Sequence, residues 1–282
     1  MRSFLHGRRT PADALFTMTP RCGFWRSDSA FRAENGSRCM IIDAHVHIGS
    51  TQFVQMQADA ELLIGVADEM GMDRILVTHL TALFYEMREG NDLLGADLAR
   101  FPDRMIGYAT IPTHRLGEAA CDEIRRCVEH YGMRGVKIYS HPESSVTEAS
   151  SAVIFELAAE LDLLVLGHFS QHECDLLMQR VPEARVIMAH MGGTPYAQGN
   201  WHLAVEVAAR HENLYVDTAS SMIDNGMLEY AVEHLGPEKI LFGTDMPALD
   251  PWVQRAKVAG AGIDDEAKRL IMGDNVQRIL GI

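Results

Sequence analysis

The stretch Met40-Ile41-Ile42-Asp43-Ala44-His45-Val46-His47-Ile48-Gly49 reads as an apolar strand that ends in two histidines one residue apart. Side chains at i and i+2 of a strand point to the same face, so His45 and His47, with Asp43 before them, are expected to project into one space. Imidazole is the commonest protein metal ligand near neutral pH. Two imidazoles aimed at one point make half of a tetrahedral site. The rest of the chain must supply the other half.

Seven further runs share the character of this one. Arg74–His79, Met105–Thr110, Gly135–Tyr139, Leu163–His168, Arg185–His190, Leu214–Ala219 and Lys239–Asp245 are short, mostly apolar and bounded by turn residues. With Ile41–His47 they make eight strands of the kind buried on both faces of a parallel sheet. Helical patterns fall between and after them, over Ala58–Met70, Asn91–Arg100, Leu116–His130, Ala149–Leu161, His172–Arg180, Trp201–Arg210, Ile223–Leu235 and Asp264–Leu280. His47 and Asp245 are 198 residues apart over seven intervals, close to one βαβ repeat per step. The expected fold is therefore α/β, a (β/α)8 TIM-like barrel. An open doubly wound sheet is the alternative, but no glycine-rich phosphate loop follows the first strand.

Composition removes several classes of partner. A formal charge of −14 argues against nucleic acid and against an anionic membrane surface, both of which reward basic patches. No apolar run reaches the roughly 18 residues that a membrane span requires. The five cysteines are odd in number and form no CxxC pair, which fits reduced thiols and a cytoplasmic location. Cys174 lies near histidines but is expected to be a small buried residue. Residues 1–39 differ from the rest, with seven arginines, no lysine and three acids. That segment is expected to be a disordered or non-structural extension, with Met40 opening a single barrel over 40–282; an organellar transit peptide is the alternative.

In a parallel barrel the site lies at the C-terminal rim of the strands. The ends of the proposed strands carry His45 and His47, His79, Lys137, His168, His190 and Asp245. One histidine at a strand end means little; several ligand-type residues on one rim are a pattern. Asp245 alone would read as a helix N-cap. The apolar strand and Gly-Thr before it make it a candidate for the site.

Five segments carry a family resemblance: Asp43-Ala44-His45-Val46-His47, Gly135-Val136-Lys137-Ile138, Leu166-Gly167-His168, Met188-Ala189-His190-Met191-Gly192-Gly193 and Leu241-Phe242-Gly243-Thr244-Asp245-Met246-Pro247. Together they resemble the amidohydrolase superfamily, and within it the amidohydrolase-related branch that includes aminocarboxymuconate-semialdehyde decarboxylase. The C-terminal Gly273-Asp274-Asn275-Val276-Gln277-Arg278-Ile279-Leu280-Gly281 is similar to that branch's closing helix. The resemblance spans residues 40–282. It implies that His45, His47, His168 and Asp245 hold one divalent metal, with His190 as the catalytic histidine beside it. Zinc suits three imidazoles and a carboxylate, and manganese or iron accept similar ligands. Such an ion lowers the pKa of bound water to roughly 7. Asp245 would then accept and return its proton, and His190 would orient the water or polarise a substrate oxygen.

Lys137 has two readings. In binuclear members of the superfamily a lysine at this strand is carboxylated and bridges two metals; the reading favoured here is an ammonium that neutralises the carboxylates or binds a substrate anion. His79, His141, His172 and His202 are expected to be exposed or locally bonded, Trp201 to pack in a helix, and Asp217 to support the pocket floor.

The resemblance implies either hydrolysis or decarboxylation of a small molecule. Related decarboxylases hold the substrate carboxylate with an arginine from a long first loop, whereas Ser50–Asp73 contains none. Arg88 is the nearest candidate, and the barrel is shorter than in those decarboxylases. These departures favour hydrolysis of an amide, ester or lactone. Non-oxidative decarboxylation of an unsaturated or aromatic acid is the alternative, and a non-catalytic metal-binding barrel the second. Barrels of this kind often pair, so a homodimer is the expectation for assembly.

Overall fold

The structure, a computed structural model, describes residues 39–51, 56–112, 117–139, 145–192, 200–220 and 226–282. The leader, His141 and the start of the helix expected from Ile223 lie outside the described residues. Among the described residues nine strands form one sheet: β1 (Ile42–Thr51), β2 (Met56–Ala58), β3 (Arg74–His79), β4 (Met105–Ile111), β5 (Gly135–Tyr139), β6 (Leu164–His168), β7 (Arg185–Met188), β8 (Leu214–Asp217) and β9 (Ile240–Leu241). Their order is β2-β1-β3-β4-β5-β6-β7-β8-β9. Every pairing from β1 to β9 is parallel, and β2 alone is antiparallel, folding back on the end of β1.

The sheet curls until its ends meet. Ala44 N–H donates to the Phe242 carbonyl at 2.8 Å, Asp245 N–H to His45 at 2.8 Å and His47 N–H to Met246 at 2.9 Å. A parallel bridge between Val46 and Met246 completes the seam. Eight parallel strands thus close as the expected barrel, with β2 an added hairpin strand. Around it run α1 (Ala60–Met70), α2 (Leu80–Phe84), α3 (Met87–Arg100), α4 (Glu118–Tyr131), α5 (Ala149–Glu160), α6 (Gln171–Arg180), α7 (Trp201–Arg210), α8 (Met227–Leu235), α9 (Pro251–Gly260), α10 (Asp265–Arg269) and α11 (Asn275–Leu280).

Local chemistry sets several boundaries. Asp59 caps α1 and Gly71, at φ 69°, ends it in the left-handed region that glycine enters without steric cost. Ser170 and Glu173 form a capping box on α6. Asp250 caps α9, whose first residue is a proline. Among the described residues no helix is long and apolar enough to cross a membrane.

Two apolar clusters hold the layers together. Leu76, Tyr108, Leu164, Leu166, Ile187, Ala189, Tyr215 and Leu241 form the smaller one with Ile42 and Ala44, and Val276, Ile279 and Leu280 of α11 pack against them. The larger lies between strands and helices and takes alternate residues such as Val77, Val136, Val165, Val186 and Val216. Period-2 alternation therefore places Lys137, His168 and Asp217 in line with the smaller cluster, His168 and Asp217 as the last residues of their strands and Lys137 at the middle of β5. β1 breaks this rule. Ile42 and Ala44 belong to the smaller cluster but Val46 and Ile48 to the larger, and the pairing with β3 shifts register between Asp43 and Val46. Such a bulge re-aims the residues after it. It turns His45 and His47 toward the barrel interior.

Candidate metal centre

Six side chains from five strand ends converge. His45 and His47 come from β1, Lys137 from β5 and His168 from β6. His190 and Asp245 do not lie in strands as expected but just beyond β7 and β9. His190 sits in a 3-10 turn at φ 59°, followed by Met191 at φ 51°, and Asp245 is at φ 58°. Left-handed backbone costs a non-glycine residue about 1–3 kcal/mol and persists only where neighbours fix it. Here they do: His190 N–H donates to Asp217 Oδ1 at 2.7 Å, and Asp245 N–H to the His45 carbonyl.

The donor atoms of His45, His47 and Asp245 lie within 4.8 Å of one another, and so do those of His45, His168 and His190. His45 belongs to both groups. His47 Nε2 stands 2.9 Å from Asp245 Oδ1, and His45 Nε2 is 3.5 Å from the same oxygen. His168 Nε2 and His190 Nε2 are 2.8 Å apart. Lys137 Nζ is 3.1 Å from His45 Nε2. All four histidines and Lys137 are buried.

A second layer orients these rings. His45 Nδ1 lies 2.9 Å from Asp217 Oδ2, and His47 Nδ1 lies 2.6 Å from Thr78 Oγ1. His190 Nδ1 donates to the Ala219 carbonyl, which can only accept. In neutral His45 and His190, Nδ1 carries the proton and Nε2 turns a lone pair inward. Carboxylate, hydroxyl and carbonyl partners behind a histidine are the usual support of a metal ligand. The donor sets fit a divalent cation: imidazole nitrogens and one carboxylate, arranged in two adjoining groups that share His45 and fixed from behind.

Electrostatics agree. Burial, aided by the Lys137 ammonium, pushes His45 and His168 well below the ordinary imidazole range, so both are neutral and able to ligate. His47 is lowered by burial against the opposing pull of Asp245. Burial would raise Asp245, but the hydrogen bond from His47 and the nearby imidazoles outweigh it and hold the carboxyl well below the usual range. Burial lowers Lys137 to about 7 despite Asp245 and Asp217. The barrel interior disfavours its charge, and a bound anion would restore it.

Other candidates fall elsewhere. Asp43 does not join the imidazoles; its carboxylate takes the N–H of His45 and both the N–H and hydroxyl of Thr244. Asp217 stands behind His45 and His190. His79 caps α2, its Nδ1 accepting from Thr81 N–H at 3.1 Å, with its ring against Gly49, where an added Cβ would approach to 2.9 Å. His172 and His202 are exposed, Trp201 is buried and stacked on His202, and Cys174 is buried. Arg88 is exposed on α3 beside Glu86, Glu89 and Asp92, in a surface depression that none of the six converging side chains lines. Sequence reasoning missed Thr78, although a hydroxyl in a strand run and one residue before His79 is the signal that could have found it.

Comparison with known proteins identifies the family. The amidohydrolase family model matches residues 42–282, and the chain belongs to that family. Gamma-resorcylate decarboxylase of Rhodococcus jostii (strain RHA1) is 24% identical over 248 residues, covering 66% of this chain and 73% of that protein. The 2-amino-3-carboxymuconate-6-semialdehyde decarboxylase of Dictyostelium discoideum is 23% identical over 235 residues, covering 68% and 65%. The chain thus spans about two thirds to three quarters of these relatives' length. A crystal structure of dihydroxybenzoic acid decarboxylase from Polaromonas sp. JS666, with bound manganese and the inhibitor 2-nitroresorcinol, shares the fold. Its TM-score is 0.72 at 18% identity, over 86% of this chain and 97% of that one.

Proposed function

We propose that this protein is a divalent-metal-dependent, non-oxidative decarboxylase of a small aromatic or unsaturated carboxylic acid. The observation that carries this reading is Lys137, a fully buried amine 3.1 Å from His45 Nε2 at the heart of the cluster, whose charged form a bound anion would stabilise. A substrate carboxylate or phenolate answers that charge; a neutral ester, lactone or amide does not. The relatives that are decarboxylases support the same choice over the hydrolysis expected from sequence. Lys137 takes the place of the arginine absent from residues 50–73.

His45, His47, His168 and Asp245 would hold the ion, manganese or zinc. When bound it supplies Lewis-acid attraction for the substrate's oxygens. Lys137 pairs with the substrate anion and sets its orientation. In decarboxylation the bond from the carboxyl carbon to the ring or vinyl carbon breaks. Its electron pair stays on that ring or vinyl carbon, a proton joins it, and neutral carbon dioxide leaves. His190 is the proton donor in this assignment. Its Nδ1–H is held by Ala219, so a proton it delivers leaves from Nε2, the nitrogen facing His168. Asp245, ionised and partly exposed at the rim, keeps its negative charge beside the ion, and the replacement proton for His190 comes from solvent.

The test is a substrate panel on protein loaded with manganese or zinc. Hydroxybenzoates and unsaturated acids with a labelled carboxyl are incubated in D2O beside matched lactones, esters and amides. Labelled carbon dioxide, with one deuterium on the carbon that lost it, is the expected result. Turnover of a lactone, ester or amide with no acid losing carbon dioxide would overturn the reading. Lys137→Met should abolish turnover of the acids and leave metal content unchanged.

A further inference from the structure

Lys257 of α9 lies outside the cluster, yet it is fastened to the backbone that orients His190. Its Nζ donates to the Thr218 carbonyl at 2.9 Å, the Ser220 carbonyl at 2.9 Å and Gln254 Oε1 at 2.7 Å. An ammonium has three protons, and these three acceptors match them. The two carbonyls flank Ala219, whose own carbonyl receives His190 Nδ1–H. Ala219 N–H in turn donates to Asp217 Oδ1 at 3.1 Å, the oxygen that also takes His190 N–H, while Asp217 Oδ2 faces His45 Nδ1. Residues 217–220 are therefore a hub: one side faces the rings of His45 and His190, and the other is gripped by Lys257.

We propose that Lys257 is a positioning residue for His190, fixing the Ala219 carbonyl and thereby the tautomer and tilt of the imidazole.

Several features support the assignment. Three consecutive carbonyls that accept from two different cationic or polar side chains cannot rotate independently; holding the outer two fixes the middle one. Gln254 is buried on the same helix and keeps the ammonium in place. Burial lowers Lys257 to about 8, with Asp217 opposing, so the group keeps its charge near neutral pH despite its half-buried setting. Partners in this outer layer typically contribute 10–100-fold to activity or metal affinity. The helix also follows the Asp245 loop directly, so one element joins the rim segments after β8 and β9.

The experiment uses zinc-loaded protein with 15N-labelled histidine, and its first readout is independent of any substrate. Wild type should show His190 as a single Nδ1–H tautomer in long-range 1H–15N spectra, assigned by the loss of that signal in His190→Gln. In Lys257→Met the signal should broaden or move toward a mixture of tautomers, with metal content unchanged. Lys257→Arg, which keeps a cation and several donors, should restore it. With any acid that the protein decarboxylates, Lys257→Met should lower kcat by roughly 10–100-fold with KM within about twofold. An unchanged His190 signal in folded Lys257→Met would overturn the proposal, as would equal loss in the Met and Arg variants. Failure to find a decarboxylated substrate leaves the spectroscopic result decisive by itself.

Discussion

Thr244 is bound to Asp43 twice, its hydroxyl donating to Oδ2 at 2.5 Å and its N–H to Oδ1 at 3.0 Å, across 201 residues of sequence. The clasp joins the first strand to the segment that follows the last, one residue before Asp245. Asp43 also takes the N–H of His45, so one buried carboxyl registers both halves of the candidate site. Thr244→Val removes one of its three donors. The expected cost is about 1–3 kcal/mol of stability, the usual penalty for an unsatisfied buried acceptor. Urea unfolding at constant pH measures it, and Thr244→Ser should recover most of the loss. A neutral Thr244→Val would refute the role of the clasp.

Thr78 stands behind His47 as Asp217 stands behind His45. Its hydroxyl is 2.6 Å from His47 Nδ1 and 3.4 Å from the Val46 carbonyl. Thr78→Val keeps the shape and removes the polar partner. Metal affinity should fall by about 10–100-fold, read by competition with a chelator, while the unfolding midpoint of the metal-free protein moves little. An unchanged affinity would mean that His47 is positioned by packing alone.

Substitution of the proposed ligands separates metal loss from fold loss. His45→Ala and Asp245→Asn should each reduce turnover to background, and His45→Ala should also lose stoichiometric metal by elemental analysis. Full activity in either variant would remove that residue from the centre.

Lys239 gives a pH signature far from this chemistry. Its ammonium donates to the Ala208 and His211 carbonyls, and burial lowers its pKa to about 8. The unfolded chain returns the group to about 10.4. Between those values the unfolded state binds more protons, so this group makes stability rise with pH from about 8 to about 10.4. Below 8 both states are charged and its burial cost is fully present. Lys239→Met should therefore flatten the rise in urea midpoint that wild type shows over this window. Parallel wild-type and variant curves would show that the group titrates normally in the fold.

Much of the architecture was legible because buried parallel strands announce themselves as short apolar runs. Arg74–His79 and Gly135–Tyr139 have the expected bounds, and α7 spans Trp201–Arg210 as its pattern indicates. Departures cluster where the backbone leaves regular geometry. Arg185–His190 ends as a strand at Met188, because His190 and Met191 take left-handed torsions that no periodicity encodes. The strand expected over Lys239–Asp245 shortens to Ile240–Leu241, the rest being held by single bonds to β1. The long C-terminal helix divides at a π-helical turn over Leu270–Asp274. α9 was missed altogether, although Asp250-Pro251 is a legible start signal. The ligand-type residues could be listed from strand ends. Their supports could not, since Thr78, Ala219 and Lys257 are ordinary residues until the fold brings them behind an imidazole.

The seam between Ala44–His47 and Phe242–Met246 has a consequence for how the molecule is made. Its two sides are the first and last strands, among the most distant pairings in the barrel. Contacts of such long sequence separation form late and slowly. During ribosomal synthesis the leading strand waits with an unpaired edge until the final segment emerges. His45 and His47 meet Asp245 only across that seam. Completion of the cluster and closure of the cylinder are therefore the same event.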